Sequence, residues 1–186
     1  MLRAMVLVIL GMCVGCAPVL KSPIGNEGDE RASDRLDHGY SILVSLMGDE
    51  SKVDEILAIK SASKETEELL KNISTTAKEV IKKIEGSVKL KPLLLIGDQG
   101  LPTIESDARS RITNTQTVRL LVAAGTFELK ILLTQEKAMG YAASLADSLA
   151  AADPNEVRSG MMKEFAKKYG EFEQEAILRI QALGKK

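Results

Sequence analysis

The chain has 186 residues, 45% of them apolar and 27% charged, a balance that suits a globular domain with a real core and excludes a wholly disordered or membrane-embedded chain. With 25 basic against 26 acidic residues the formal net charge is -1, so no chain-wide field draws the protein to nucleic acid or to an anionic bilayer. Length alone favours a single domain.

The first residues, Met1-Leu2-Arg3, place a positive charge ahead of an uncharged apolar stretch that runs from Ala4 to Met12. The stretch is short for a membrane span, and the arrangement is that of an export signal. It ends in Cys13-Val14-Gly15-Cys16. This segment resembles the lipobox of bacterial lipoproteins, in which small residues precede a cysteine that is acylated, by palmitate among other chains, and becomes the new N-terminus. Cys13 stands where that family usually has Leu. The resemblance covers this segment and implies that residues 1–15 are a signal peptide and that Cys16 carries lipid. It also implies that the mature protein is held on the periplasmic or extracytoplasmic face of a bacterial cell envelope. Three other readings stay open: ordinary cleavage after Ala17, which would leave Pro18 unfavourably beside the cut, an uncleaved anchor helix, and a buried apolar helix. The chain has two cysteines. Loss of Cys13 and acylation of Cys16 leave a domain with neither disulfide nor free thiol, whose stability has to come from packing.

From Cys16 to Asp29 the chain carries Pro18, Pro23, Gly25, Asn26 and Gly28, which reads as a lipidated cysteine followed by a flexible tether, residues 16–29. A single helical domain is expected over residues 30–186. Leu36, Tyr40, Leu43 and Met47 recur at steps of four and three, the period of a helix with one buried face, and Gly48-Asp49 ends it. Ser51 is an expected N-cap for a second run in which Ile56, Ile59, Ala62, Leu69, Ile73, Val80 and Ile84 keep that spacing as far as Gly86. Between Gly86 and Thr103 the periodicity breaks. Pro92, Gly97, Gly100 and Pro102 punctuate a crossover whose Leu93-Leu94-Leu95-Ile96 run reads as packing across a bundle end, since a lone strand would have no partner.

Helical spacing resumes near Ile104 and continues through Ile112, Leu121, Leu129, Leu132, Met139, Leu145 and Leu149. At 1.5 Å per residue one helix of about 45 residues would be roughly 70 Å long, with Gly125 and Gly140 as points where it kinks. Asp153-Pro154-Asn155-Glu156 reads as an N-cap, a first-turn proline and an acid closing a capping box, hence a tight helical hairpin. The last helix places Met162, Phe165, Tyr169, Phe172, Ala176, Ile180 and Leu183 on one stripe. The expected fold is all-α: an antiparallel, coiled-coil-like bundle of about four main helices with a long crossover.

Chemistry-bearing constellations are sparse. There is no Glu-x-x-His of the kind that builds di-metal sites in ferritin-like bundles. The single histidine, His38, follows Asp34 by one helical turn and reads as a solvated pair rather than a metal or proton-transfer site. No Cys-x-x-Cys-His, Gly-x-Ser-x-Gly or Gly-x-x-x-x-Gly-Lys occurs, so haem, serine-hydrolase and phosphate-loop chemistry lack their residues. Gly97-Asp98-Gln99-Gly100 reads as a turn. Glu67 with Glu68, and Glu171 with Glu173 and Glu175, sit among lysines and read as solvated faces rather than a glycosidase dyad.

Two features keep functional interest. A polar track, Arg109, Arg111, Thr113, Asn114, Thr115, Gln116, Thr117 and Arg119, is rich in hydrogen-bonding groups and suits a partner or a solvated face. The ending Gly184-Lys185-Lys186 resembles, in its terminal lysine, the peptidoglycan-linked major outer-membrane lipoprotein of enteric bacteria; a basic helix end also explains it.

The expectation is a lipid-anchored envelope scaffold, adaptor or accessory subunit. It has no catalytic, metal or cofactor residues of its own, and works through protein partners or self-association rather than nucleic acid. The alternative is a small-ligand or lipid-binding bundle with room beside Ala142, Ala143, Ala146 and Ala150. An envelope enzyme comes third.

Overall fold

The computed structural model describes residues 32–97, 101, 103–122 and 125–185. The expected signal peptide (1–15) and Cys16 with its tether (16–29) lie outside the described residues. Regular structure among the described residues is helical throughout: α1 (Ala32–Glu50), α2 (Lys64–Ser87), α3 (Thr103–Leu121), α4 (Phe127–Ala152) and α5 (Glu156–Leu183), with a 3₁₀ turn at Val53–Ala58. The all-α expectation holds. The helix boundaries depart from it at three places, each for a local reason.

The run expected to start at Ser51 is two elements. Ser51 is buried and donates its hydroxyl to the Gly48 carbonyl at 2.8 Å, so it closes α1 rather than opening α2. The cap of α2 is Ser63, in extended backbone, whose Oγ accepts from the Thr66 N–H at 3.3 Å. Thr66 occupies the place where a capping box would carry a Glu, and Glu128 of α4 supplies that carboxylate from across the fold. Its Oε1 accepts from the Ser63 N–H at 3.1 Å, the Ser63 hydroxyl at 2.5 Å and the Thr66 hydroxyl at 2.7 Å. An acid at a helix N-terminus is also favoured by the helix dipole.

The expected third helix also divides. Gly125 has φ +68°, a left-handed value that a residue with a side chain adopts at a cost, and α3 ends before it while α4 begins after it. Gly140 does not interrupt α4. This split makes five α-helices of the expected four or so. At the hairpin, Asn155 rather than Asp153 caps α5, its Oδ1 accepting from the Arg158 N–H at 3.1 Å. Pro154 therefore precedes the helix instead of opening it.

The contacts fix direction. Midway along α1, Tyr40 meets Asp153 at the end of α4; farther along, Met47 meets Tyr169 of α5, and Glu50 reaches Gln135 of α4. Thus α1 runs antiparallel to α4 and alongside α5. Ser74 of α2 donates to the Ser51 carbonyl, and Arg158 of α5 reaches the Ser87 carbonyl, so α2 runs against both α1 and α5. These four helices share one buried cluster, from Leu36 and Tyr40 through Leu69, Ile73 and Ile84 to Met139, Met162 and Phe172. A smaller cluster of Leu70, Leu120, Phe127 and Ile131 receives one side chain from α3.

The crossover after α2 lies across α1. Leu94 is buried in the main core, the Leu95 N–H donates to Asp37 Oδ1 at 2.8 Å, and Ser41 donates to the Leu95 carbonyl at 3.4 Å. Side-chain partners thereby satisfy backbone that has no ladder of its own. The Lys91–Pro92 peptide is cis.

Candidate functional site

Three places in the fold stand out for buried polar groups or exposed apolar ones, the two conditions that cost free energy unless something offsets them. The first is at the hairpin end. Arg158, fully buried, makes a two-pronged ion pair with Asp153, Nε to Oδ2 at 2.6 Å and Nη2 to Oδ1 at 3.0 Å. Tyr40 donates to Asp153 Oδ2 at 2.8 Å, and the Asn155 N–H donates to Oδ1 at 2.8 Å. The remaining guanidinium nitrogen donates to the Leu90 carbonyl at 2.8 Å, and the guanidinium lies over the Tyr40 ring, 6.0 Å from its centre.

Burial pushes the Asp153 carboxyl up, but the hydrogen bonds from Arg158, Asn155 and Tyr40 outweigh it and hold the group below its ordinary value. Tyr40 is raised by burial and by the adjacent carboxylate. Every charge is matched here, so the cluster is a clamp joining α1, α5 and the crossover, with no open position for a substrate.

The second place is the C-terminal end of α1. Glu50 is 7% exposed and is the last residue of its helix, where a negative charge opposes the dipole. Burial pushes its carboxyl up to about 7; the hydrogen bond with Gln135 draws it down, and Asp49 adds to the rise. Gln135 is itself buried. Nearby, Thr113 of α3 donates to Asp49 Oδ2 at 2.7 Å.

The third place is α3. Ile104, Ile112, Val118 and Val122, the last just past the helix end, are 59% to 81% exposed. Leu120 is the one buried side chain among those described in α3. Between α3 and α4 an open cleft of about 280 Å³ is lined by Arg119, Leu120, Val122, Lys130, Leu133 and Thr134. A second, of about 210 Å³, lies beside Gly39 between α1 and α4.

The residues singled out from sequence are scattered. Asp34 and His38 are half-buried on α1. Glu68 is exposed on α2, Glu171 pairs with Lys168 at 3.3 Å, and Glu175 pairs with Arg179. Among the described residues no group of three or more His, Cys, Asp or Glu side chains is placed to hold a metal. The polar track splits around α3. Arg109 pairs with Glu105 at 2.9 Å and Thr113 faces Asp49, while Arg111, Asn114, Thr115 and Arg119 are exposed. Ala142, Ala146 and Ala150 are buried in the same cluster as Met162, Phe165, Tyr169 and Phe172. The stripe thus lets α4 and α5 approach closely, with aromatic side chains beside it.

Sequence reading missed Tyr40 as a polar group, Asp153 with Arg158, and Glu50 with Gln135. An Arg in the first turn of a helix, where the dipole disfavours a cation, was the available signal for Arg158. No described helix is long and apolar enough to cross a membrane. No protein-family model matches the chain, and no curated protein and no solved structure matches it.

Proposed function

We propose that the protein is a lipid-anchored helical component of a bacterial cell envelope, attached through Cys16, that acts by surface contact as a scaffold, adaptor or accessory subunit. The observation that carries the anchor is the order of residues in segment 1–16: a cation, an apolar stretch, then Val14-Gly15-Cys16. Support for contact rather than chemistry comes from the matched clamp around Arg158 and from the exposed apolar side chains of α3. The alternative, a guest held between α4 and α5, has less support, because the alanine stripe shares its burial with the large side chains of α5.

Labelling with a radioactive palmitate precursor in bacterial cells tests the anchor. Wild type is expected to incorporate label and Cys16→Ser to lose it; equal label in both overturns the proposal. Affinity capture of the labelled protein from its own envelope then tests surface contact. Recovery of a stoichiometric protein partner, or of a second copy, is the expected result.

A further inference from the structure

We propose that the crossover after α2 is the face of the protein that rests on the lipid bilayer, with Leu93 and Leu95 set into the headgroup boundary. The inference rests on the lipid anchor at Cys16 and adds an orientation to it.

The crossover carries apolar surface outward and is held that way. Leu94 is buried in the main core, while Leu93 and Leu95 on either side of it are 63% and 59% exposed. Their backbone is pinned from two directions. At the hairpin between α4 and α5, Arg158 donates to the Leu90 carbonyl and Asn155 Nδ2 to the Lys91 carbonyl. On α1, Asp37 accepts from the Leu95 N–H and Ser41 donates to the Leu95 carbonyl. Neither leucine turns inward without giving up these bonds, so its apolar surface stays in water unless a non-aqueous phase covers it. Beside the pinned loop, Val157 in the first turn of α5 is 69% exposed. Apolar surface gathered at one pole marks a contact face.

The occupant follows from charge and from where the chain arrives. Between Ser87 and Gly97 there are two cations, Lys89 and Lys91, both exposed, and no acid. Exposed acids at the neighbouring helix ends, Glu85 and Glu156, are answered by exposed Lys82 and Arg35. Lysines interleaved with leucines suit an anionic lipid surface, because the apolar side chains enter the boundary while the ammonium groups stay at the phosphates.

The segment from Cys16 joins the fold at the start of α1. That start lies at the crossover pole, since Asp37 meets the crossover and Tyr40 meets the hairpin. From Cys16 to Ala32 a chain extends at most about 55 Å when fully drawn out, and α5 alone is about 42 Å long. Laying the opposite pole on the bilayer would need that segment pulled nearly straight along the molecule, at a cost in chain entropy. The crossover pole reaches the bilayer without it. In this orientation α3, held to the other end of α1 through Asp49, stands away from the membrane and toward protein partners.

Photo-cross-linking of the full chain in bacterial cells fed radioactive phosphate tests the orientation. A benzophenone amino acid takes the place of Leu93, Leu95, Ile59, Ile112 or Leu178 one at a time, all of them exposed. The last three lie toward the opposite pole. Light is expected to join phospholipid to positions 93 and 95, read as phosphate label on the protein, about fivefold or more above the three others. The lipid on Cys16 adds no light-dependent label. Far-ultraviolet circular dichroism checks that helix content is kept.

Phosphate label at position 112 or 178 equal to that at 93, a protein joined to position 93 in place of lipid, or no adduct at 93 and 95 overturns the inference. Palmitate labelling of the same cells separates the two claims. With palmitate incorporated, such a failure concerns the crossover alone; without it, the anchor falls and the inference with it.

Discussion

The middle and the end of α1 solve the same problem differently. Beside its middle a buried charge, Arg158, meets Asp153, Tyr40 and the Leu90 carbonyl, so the cost of taking ions out of water is offset by geometry. At its end Glu50 is buried against Gln135 with no cation among the groups that set its titration, and beyond it α3 is held by Thr113 and Leu120. The first is a closed network. The other is where burial is least well compensated and where apolar surface is left to solvent, which is where a binding face belongs.

That contrast gives predictions of decreasing size. Arg158→Met should cost about 3 to 5 kcal/mol in urea denaturation, because Asp153 is left charged and buried. If the cluster only fills space, the loss will be under about 1 kcal/mol. Ile73→Ala, in the core, should cost about 2 to 5 kcal/mol by the same measurement, whereas Ile112→Ala, outward on α3, should change stability by less than about 0.5 kcal/mol. Equal losses would mean that α3 packs as the core does.

Glu50 should make stability fall as pH rises. Its folded carboxyl titrates near 7 and its ordinary value is 4.5, so the folded state holds the proton more tightly between those values. The contribution is full below about pH 4.5 and lost as pH rises through about 7, a change on the order of 3 kcal/mol. Glu50→Gln should remove this slope and be the more stable form at pH 8; an unchanged slope would assign the dependence to another group. Smallest is Glu128→Ala, expected to cost about 1 kcal/mol through the lost cap of α2.

The helical stripes were legible because their period is local. Leu36 to Met47 and Met162 to Ala176 are buried as the spacing implies. Boundaries were less so where a distant residue decides them. Ser51 and Ser63 are equally good caps in sequence, and Glu128, far along the chain, favours Ser63. Asp153 and Asn155 compete for α5, and Arg158 engages Asp153, leaving Asn155 to cap. The break at Gly125 was marked by its residue type, but a glycine alone does not tell a kink from a turn with positive φ. The clamp was illegible for a plainer reason: Tyr40 and Asp153 are 113 positions apart. On α3 the spacing misled: Ile104 and Ile112 continue the helical period, yet both are exposed, while Leu120 is buried.

Hydrogen exchange tests most directly the claim that α3 is bound to its own chain on one side only. In dilute protein the amides of α3 should exchange through openings far less costly than those of α4 and α5. Protection of α3 equal to that of α5 would contradict the account.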